Sequence, residues 1–117
     1  MTALEVAKEA AKALSSKKGL DIKVIKIDDV SVLADYMVIG TGTSSTQVKA
    51  MSEEVEYQLD KAGVTVSHIE GYRSNSWILL DYVDVIVNVF SNEAREYYDL
   101  ERLWRDGENI DISNIID

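Results

Sequence analysis

Among its 117 residues the chain has no cysteine, no proline, one phenylalanine and one histidine. The lack of cysteine removes disulfides, thiol catalysis and every cysteine-based zinc site. With His68 as its one imidazole, a structural zinc has no ligand set to draw on. No apolar run approaches the ~18 residues that a membrane span needs. The first residues also lack the cationic start and apolar core of a secretory signal, so the expectation is a cytoplasmic protein with no membrane attachment. Basic residues are few: 12 Lys and Arg stand against 21 Asp and Glu, a net charge of −9. Phosphate-led binding of nucleic acid wants clustered Lys and Arg, so little direct nucleic-acid contact is expected. A basic protein partner suits this charge better, beside the plain reading of a surface kept soluble by its net charge. The missing prolines say only that rigid turns are few.

What is present suits one folded unit. The length and a hydrophobic content of 46% allow a single core. Two six-residue runs, Trp77–Tyr82 and Val85–Phe90, are rich in β-branched and aromatic side chains and too short for stable helices. Both faces of each are mostly apolar, which predicts interior strands covered on two sides. A tight two-residue turn between them falls on Val83 and Asp84, and valine tolerates positive φ badly. The turn is therefore either wider than two residues or strained.

Upstream, Thr2–Ser16 carries an apolar stripe of Ala3, Leu4, Ala7, Ala10, Ala11 and Leu14 at helical spacing. Glu5 and Glu9 lie early and Lys17 and Lys18 late, the sense the helix dipole favours, with Gly19 as the stop. Asp21–Asp28 alternates as a strand near an edge, and Tyr36–Gly40 reads as a buried strand. Thr41–Gln47 leads from that strand into a helix with the stripe Val48, Met51, Val55, Leu59 and Ala62, closed by Gly63. Ser44 and Gln47 fit a capping box. Gly42 with the hydroxyl cluster also fits an anion site, but no GxxxxGK[ST] pattern or loop lysine supports a P-loop, and capping is the favoured reading. Val64–Glu70 alternates as a half-buried strand in which His68 either faces inward or lies at a strand end, as a hydrogen-bonded structural residue. Gly71–Ser76 is a polar loop.

After the second long strand, Ser91 and Glu93 open a last helix. Projected at 100° per residue, Tyr97, Leu100, Leu103 and Trp104 face the sheet, while Arg95, Tyr98 and Arg102 face solvent. An exposed tyrosine between arginines has the composition of a protein-binding hot spot. Residues 1–107 make the domain, and Glu108–Asp117 reads as an acidic tail, weakly docked or mobile. An enzyme reading rests on Asp81 and Asp84 with the Thr41–Ser45 loop, as Mg-dependent nucleotidyl or phosphoryl transfer. Carboxylates three apart on a strand point to opposite faces, and no basic residue beside them could hold a triphosphate. Turn-forming aspartates are the favoured reading.

Several ordered motifs carry a resemblance over residues 2–106. They are Asp35-Tyr36-Met37-Val38-Ile39-Gly40-Thr41-Gly42-Thr43-Ser44 with Gln47, Glu70-Gly71, Trp77-Ile78-Leu79-Leu80-Asp81 and Asp84-Val85-Ile86-Val87. Arg95 with Tyr98-Asp99-Leu100-Glu101-Arg102-Leu103-Trp104 completes the set. In these the chain resembles the ribosomal silencing factor family, also called RsfS or Iojap. Two positions depart from that family's usual pattern: Val83, usually glycine, and Asn88, usually histidine. The resemblance implies an α/β fold with a mixed sheet of about five strands, related to nucleotidyltransferases but without their activity. It implies binding to a basic ribosomal protein on the subunit-facing side of the large ribosomal subunit. Joining of the small subunit would then be blocked and translation repressed when nutrients are scarce. No cofactor, metal or catalytic residue is expected. The candidate contact surface is Trp77, Asp81 and Asn88 on the sheet with Arg95, Tyr98 and Glu101 on the last helix. A homodimer of the free protein is left open.

Overall fold

Two strands with almost no wet face lie at the centre of a six-stranded sheet, β2 (Tyr36–Gly42) and β5 (Val85–Ser91). They pair in parallel from Tyr36↔Val85 to Gly42↔Ser91, and all seven residues of β2 are buried. Parallel pairing demands a crossover, and the chain makes it through α2 (Ser45–Lys61), β3 (His68–Glu70) and β4 (Trp77–Asp81). The sheet order is β3-β4-β5-β2-β1-β6, with β1 (Leu20–Lys26) and a two-residue β6 (Glu108–Asn109) on the far side. Every pair except β2 with β5 is antiparallel. The structure is a computed structural model and describes residues 1–74 and 76–116. Asn75 of the Gly71–Ser76 loop and Asp117 of the expected tail lie outside the described residues.

One face of the sheet is covered by α1 (Ala3–Ser16) and α2. Strand alternation sends Val24, Val38, Ile78, Leu80, Tyr82, Val87 and Val89 to that side, against Ala7, Ala10, Leu14, Met51, Val55 and Leu59. Thr2 and Glu5 close a reciprocal capping box at the start of α1, Thr2 N donating to Glu5 at 2.8 Å and Glu5 N to Thr2 at 3.2 Å. The helix ends at Ser16 with Lys17 as its cap, and Lys18, in place of the expected Gly19, takes the left-handed position at φ 65 that a glycine usually fills. At α2, by contrast, Gly63 stands at φ 84 as expected.

The capping box expected at α2 forms only in part. Ser44 accepts from the Gln47 amide at 3.1 Å, but the Gln47 side chain does not return the bond. It accepts instead from the Thr43 amide at 2.6 Å and donates to the carbonyls of Lys17 and Lys18, both at 3.0 Å. Gln47 thus fastens the start of α2 to the end of α1, a use of the Thr41–Gln47 loop that no local pattern announces.

Three further expectations change. The regular part of the strand expected over Val64–Glu70 is only β3, and His68 takes the strand-end place of its two expected ones: it opens β3, exposed and bonded to Glu70 at 3.0 Å, and does not face the core. The expected acidic tail belongs to the fold: β6 pairs with β1, and Ile112 is buried in the α1/α2 core with Ile110, Ile115 and Ile116 packed beside it. Its apolar residues at 110, 112, 115 and 116 supply the reason, since a docked isoleucine leaves water. The last helix, finally, is two short pieces, α3 (Asn92–Tyr98) and α4 (Leu100–Leu103), on the other face of the sheet.

The β4–β5 turn is as tight as the sequence suggests. Asp84 N donates to the Tyr82 carbonyl at 2.9 Å, closing a three-residue γ-turn with Val83 at its centre and φ 73. The Asp81 carboxylate accepts from the Val83 amide at 2.7 Å and steadies the turn. A β-branched residue in this region stores strain of order 1–3 kcal/mol. Val83→Gly is therefore expected to be neutral or stabilising by up to about 1 kcal/mol, because relief of strain outweighs the added freedom of the unfolded chain. Urea unfolding checks this, and a loss above about 1 kcal/mol would show that Val83 carries no strain.

Candidate partner-binding surface

The second sheet face is only half covered. Alternation brings Met37, Ile39 and Thr41 of β2, Trp77, Leu79 and Asp81 of β4, and Ile86, Asn88 and Phe90 of β5 to this side. α3 and α4 close one end of it through Ala94, Leu100 and Trp104, while Trp77, Leu79, Asp81 and Ile86 stay partly open to solvent.

Trp77 is the centre of this surface. Its ring lies 5.1 Å from Phe90 and 4.5 Å from Tyr98, and Tyr97 meets Tyr98 edge-on at 5.1 Å. Exposure climbs along the row, from 1% at Phe90 to 48% at Tyr98 and 83% at Tyr97. The indole N–H of Trp77 donates to Asn88 Oδ1 at 3.0 Å, and Asn88 Nδ2 donates to Met37 Sδ at 2.7 Å. Asn88 is itself 1% exposed, so its expected place on the contact surface is corrected: it acts by holding Trp77. An amide has both a donor and an acceptor to offer here, as an imidazole would. Gly71 completes the seat, since a Cβ on it would stand 1.9 Å from the Trp77 carbonyl, and its φ is 80.

The α3–α4 segment departs from the helical projection. Asp99 takes a left-handed conformation at φ 46, ψ 54, so the 100° phase is lost between Tyr98 and Leu100. Tyr97 and Leu103, expected to pack on the sheet, are exposed at 83% and 65%, while Trp104 alone of that stripe is buried and Leu100 partly so. Arg95, expected to face solvent, has a side chain only 11% exposed. It donates to Glu101 Oε1 at 2.8 Å and to Thr41 Oγ1 at 2.7 Å. Glu101 also pairs with Lys23. Arg95 and Glu101 are thus largely spent inside the protein, where they clamp the kinked segment to β1 and β2. Of the contact residues expected on the last helix, Tyr98 is the one that stays available, and Tyr97 joins it. A sequence signal for Tyr97 existed only in the adjacency of two tyrosines, whose directions the break at Asp99 decides.

The enzyme reading finds little support in the geometry. Asp81 is occupied by the Val83 amide, and Asp84 serves through its backbone carbonyl, accepting from Asp35 N at 2.8 Å and Tyr36 N at 3.1 Å. Among the described residues no three His, Cys, Asp or Glu side chains gather as metal ligands. Nor is any described helix long and apolar enough to cross a membrane.

The family profile described as ribosomal silencing factor during starvation matches residues 1–117. The chain is 38% identical over 112 residues to the ribosomal silencing factor RsfS of Bacillus subtilis, covering 96% of this chain and 95% of that protein. It is 31% identical over 94 residues to the mouse protein named mitochondrial assembly of ribosomal large subunit protein 1, of which it spans 41%. A solved structure from Chromobacterium violaceum superposes with a TM-score of 0.87 at 37% identity, covering 97% of this chain and 93% of the other. One from Bacillus halodurans gives 0.81 at 30% identity, covering 92% and 98%.

Two outcomes follow from this arrangement. Burial alone would raise the Glu101 carboxyl pKa, but the hydrogen bonds and charges of Arg95 and Lys23 outweigh it and the net shift is downward. A depressed carboxyl stabilises the fold above its ordinary range and loses that contribution as pH falls through the lowered value. Glu101→Gln should therefore flatten the acid limb of a stability–pH curve below about 4.5, the ordinary value, and leave the neutral-to-alkaline shape unchanged. Asn88→Ala, which strands the Trp77 indole N–H, should cost about 1–3 kcal/mol and move the Trp77 indole proton resonance.

Proposed function

The chain belongs to the ribosomal silencing factor family, and on that premise we propose that it represses translation by binding the large ribosomal subunit through a basic ribosomal protein at the subunit interface. Its bulk on that surface blocks joining of the small subunit when nutrients are limiting. The observation that carries this reading is the aromatic row Phe90–Trp77–Tyr98–Tyr97, rooted in the core at one end and exposed at the other. Aromatic anchors of this kind dominate binding energy at interfaces, and the row is pre-ordered, so little freedom is lost when a partner arrives. The chain's charge of −9 suits a basic protein and opposes RNA phosphate. The protein acts in the cytoplasm as a binding module and turns over no substrate.

Sedimentation of purified subunits tests the reading. The protein should travel with the large subunit, keep it from pairing with the small subunit, and need no nucleotide. Absence from the large-subunit peak overturns the proposal. Tyr98→Ala should weaken binding by about 1–2 kcal/mol. Its effect on stability should stay within the ~0.5–1.5 kcal/mol of an aromatic pair. Association should also slow as salt rises.

A further inference from the structure

The sheet face that carries the aromatic row is bounded at its other end by the loop between β1 and β2. Ile27 and Ala34 of that loop are buried in the same cluster as Phe90 and Trp104. The loop is stapled at its base, where Ile27 N donates to the Asp35 carbonyl at 2.8 Å and Ser31 N to the Ile27 carbonyl at 2.8 Å. Leu33 N donates to Ser31 Oγ at 3.0 Å. Its tip nevertheless leaves apolar side chains in water: Val30, Val32 and Leu33 are 44%, 104% and 62% exposed. Exposed apolar residues scattered singly are ordinary, but these share one ordered loop.

The β4–β5 turn adds Val83 to them. Asp35 and Tyr36 both donate their amides to the Asp84 carbonyl, which ties the turn to the end of the loop. Val83 holds φ 73 with its side chain 63% exposed, so little packing offsets its backbone strain. The bond from its amide to Asp81 would form equally well with glycine, which has no such strain. All that valine contributes here is an apolar side chain facing outward. Strain of this kind is a pointer to use. Between this corner and the aromatic row, Leu79, Asp81 and Ile86 stay partly open, so one surface joins the two ends. The four residue steps from Ile86 to Phe90 span about 13 Å along β5.

We propose that Val83, with Val32 and Leu33, is a second apolar anchor for the basic protein that the aromatic row engages, an inference that rests on the function proposed above. Asp28, Asp29 and Asp84 adjoin these residues in sequence, and Lys26, 3.9 Å from Asp28, offsets part of their charge. The surplus negative charge fits a partner segment that sets an aliphatic side chain among Lys or Arg. It opposes a second copy of this chain, whose own aspartates would meet it with like charge. The stapled loop and the tight turn lose little freedom on contact. One anchor would leave the partner free to pivot on Trp77 and Tyr98, whereas two fix its orientation along β4 and β5.

Affinity of the full chain for purified large subunits, read beside melting temperature, tests this anchor. Val83→Gly should lower affinity about threefold while the melting temperature stays level or rises, a pair of effects that a purely structural turn residue would not give. The double variant Val32→Ser/Leu33→Ser should lower affinity about tenfold at an unchanged melting temperature, since both side chains already lie in water. These losses should persist at high salt, because an apolar contact is not screened. Tyr57→Ala removes an exposed side chain from α2, on the other side of the sheet, and should bind like the parent. If Tyr98→Ala weakens binding while Val83→Gly and the double variant bind like the parent, the second anchor is overturned and the proposed function stands. A parent chain that fails to bind the large subunit overturns both. Losses that vanish at high salt would reduce the contact to surface charge and overturn it. So would a parent that sediments as a dimer where the double variant is a monomer, for then a second copy covers the patch.

Discussion

Burial of β2 and β5 on both faces is the constraint on which the rest of the structure depends. Strands closed off from water must be apolar, and β2 and β5 are so except where Thr41 and Asn88 interrupt them, 2% and 1% exposed. A buried polar side chain must find a partner inside the protein or the fold bears its full desolvation cost. Thr41 accepts from Arg95, and Asn88 accepts from Trp77 while donating to Met37. The two polar interruptions therefore reach out of the sheet and hold the residues of the candidate surface. Core and site are coupled by this requirement: the sheet cannot satisfy its own polar groups without orienting Trp77 and α3.

The same logic explains why the α3–α4 segment is kinked. A single straight helix would keep Arg95 and Glu101 six residues apart on different faces, out of register for one ion pair. The left-handed residue Asp99 turns the chain so that both meet, with Lys23 added from β1. Left-handed backbone at a non-glycine residue costs energy, and a half-buried charge network with Thr41 beneath it offsets that cost. The kink also turns Tyr97 and Leu103 outward and makes the aromatic row accessible. Strain at Val83 follows a similar pattern at the other end of β4, where the Asp81 carboxylate steadies a turn that favours glycine.

Much of the fold was legible in the sequence. The six-residue runs at Trp77–Tyr82 and Val85–Phe90 announced interior strands, although cover on both faces holds for most of β5 and for only one face of β4, and the stripe over Thr2–Ser16 announced a packed helix, since both are properties of consecutive residues. The awkward turn at Val83 was legible for the same reason: chirality forbids what two-residue geometry asks of valine. Motif order over the whole chain was enough to point to the family. The candidate surface was half legible, because Trp77 and Tyr98 could be chosen from residue type and position.

What only the tertiary structure decided are the partners of those residues. Arg95 meets Thr41 across 54 residues, Asn88 meets Met37 across 51, and Gln47 meets Lys17 across 30. Helical projection placed Tyr97 and Leu103 on the sheet because it assumes an unbroken phase, and nothing local marks Asp99 as the break. The tail read as a weak acidic appendage because its composition is polar on average, yet Ile112 finds a vacancy beside α1 that exists only once the sheet has formed. Local chemistry sets which backbone shapes are cheap. Which polar groups must be satisfied, and by whom, is set when distant strands are brought within a hydrogen bond of each other.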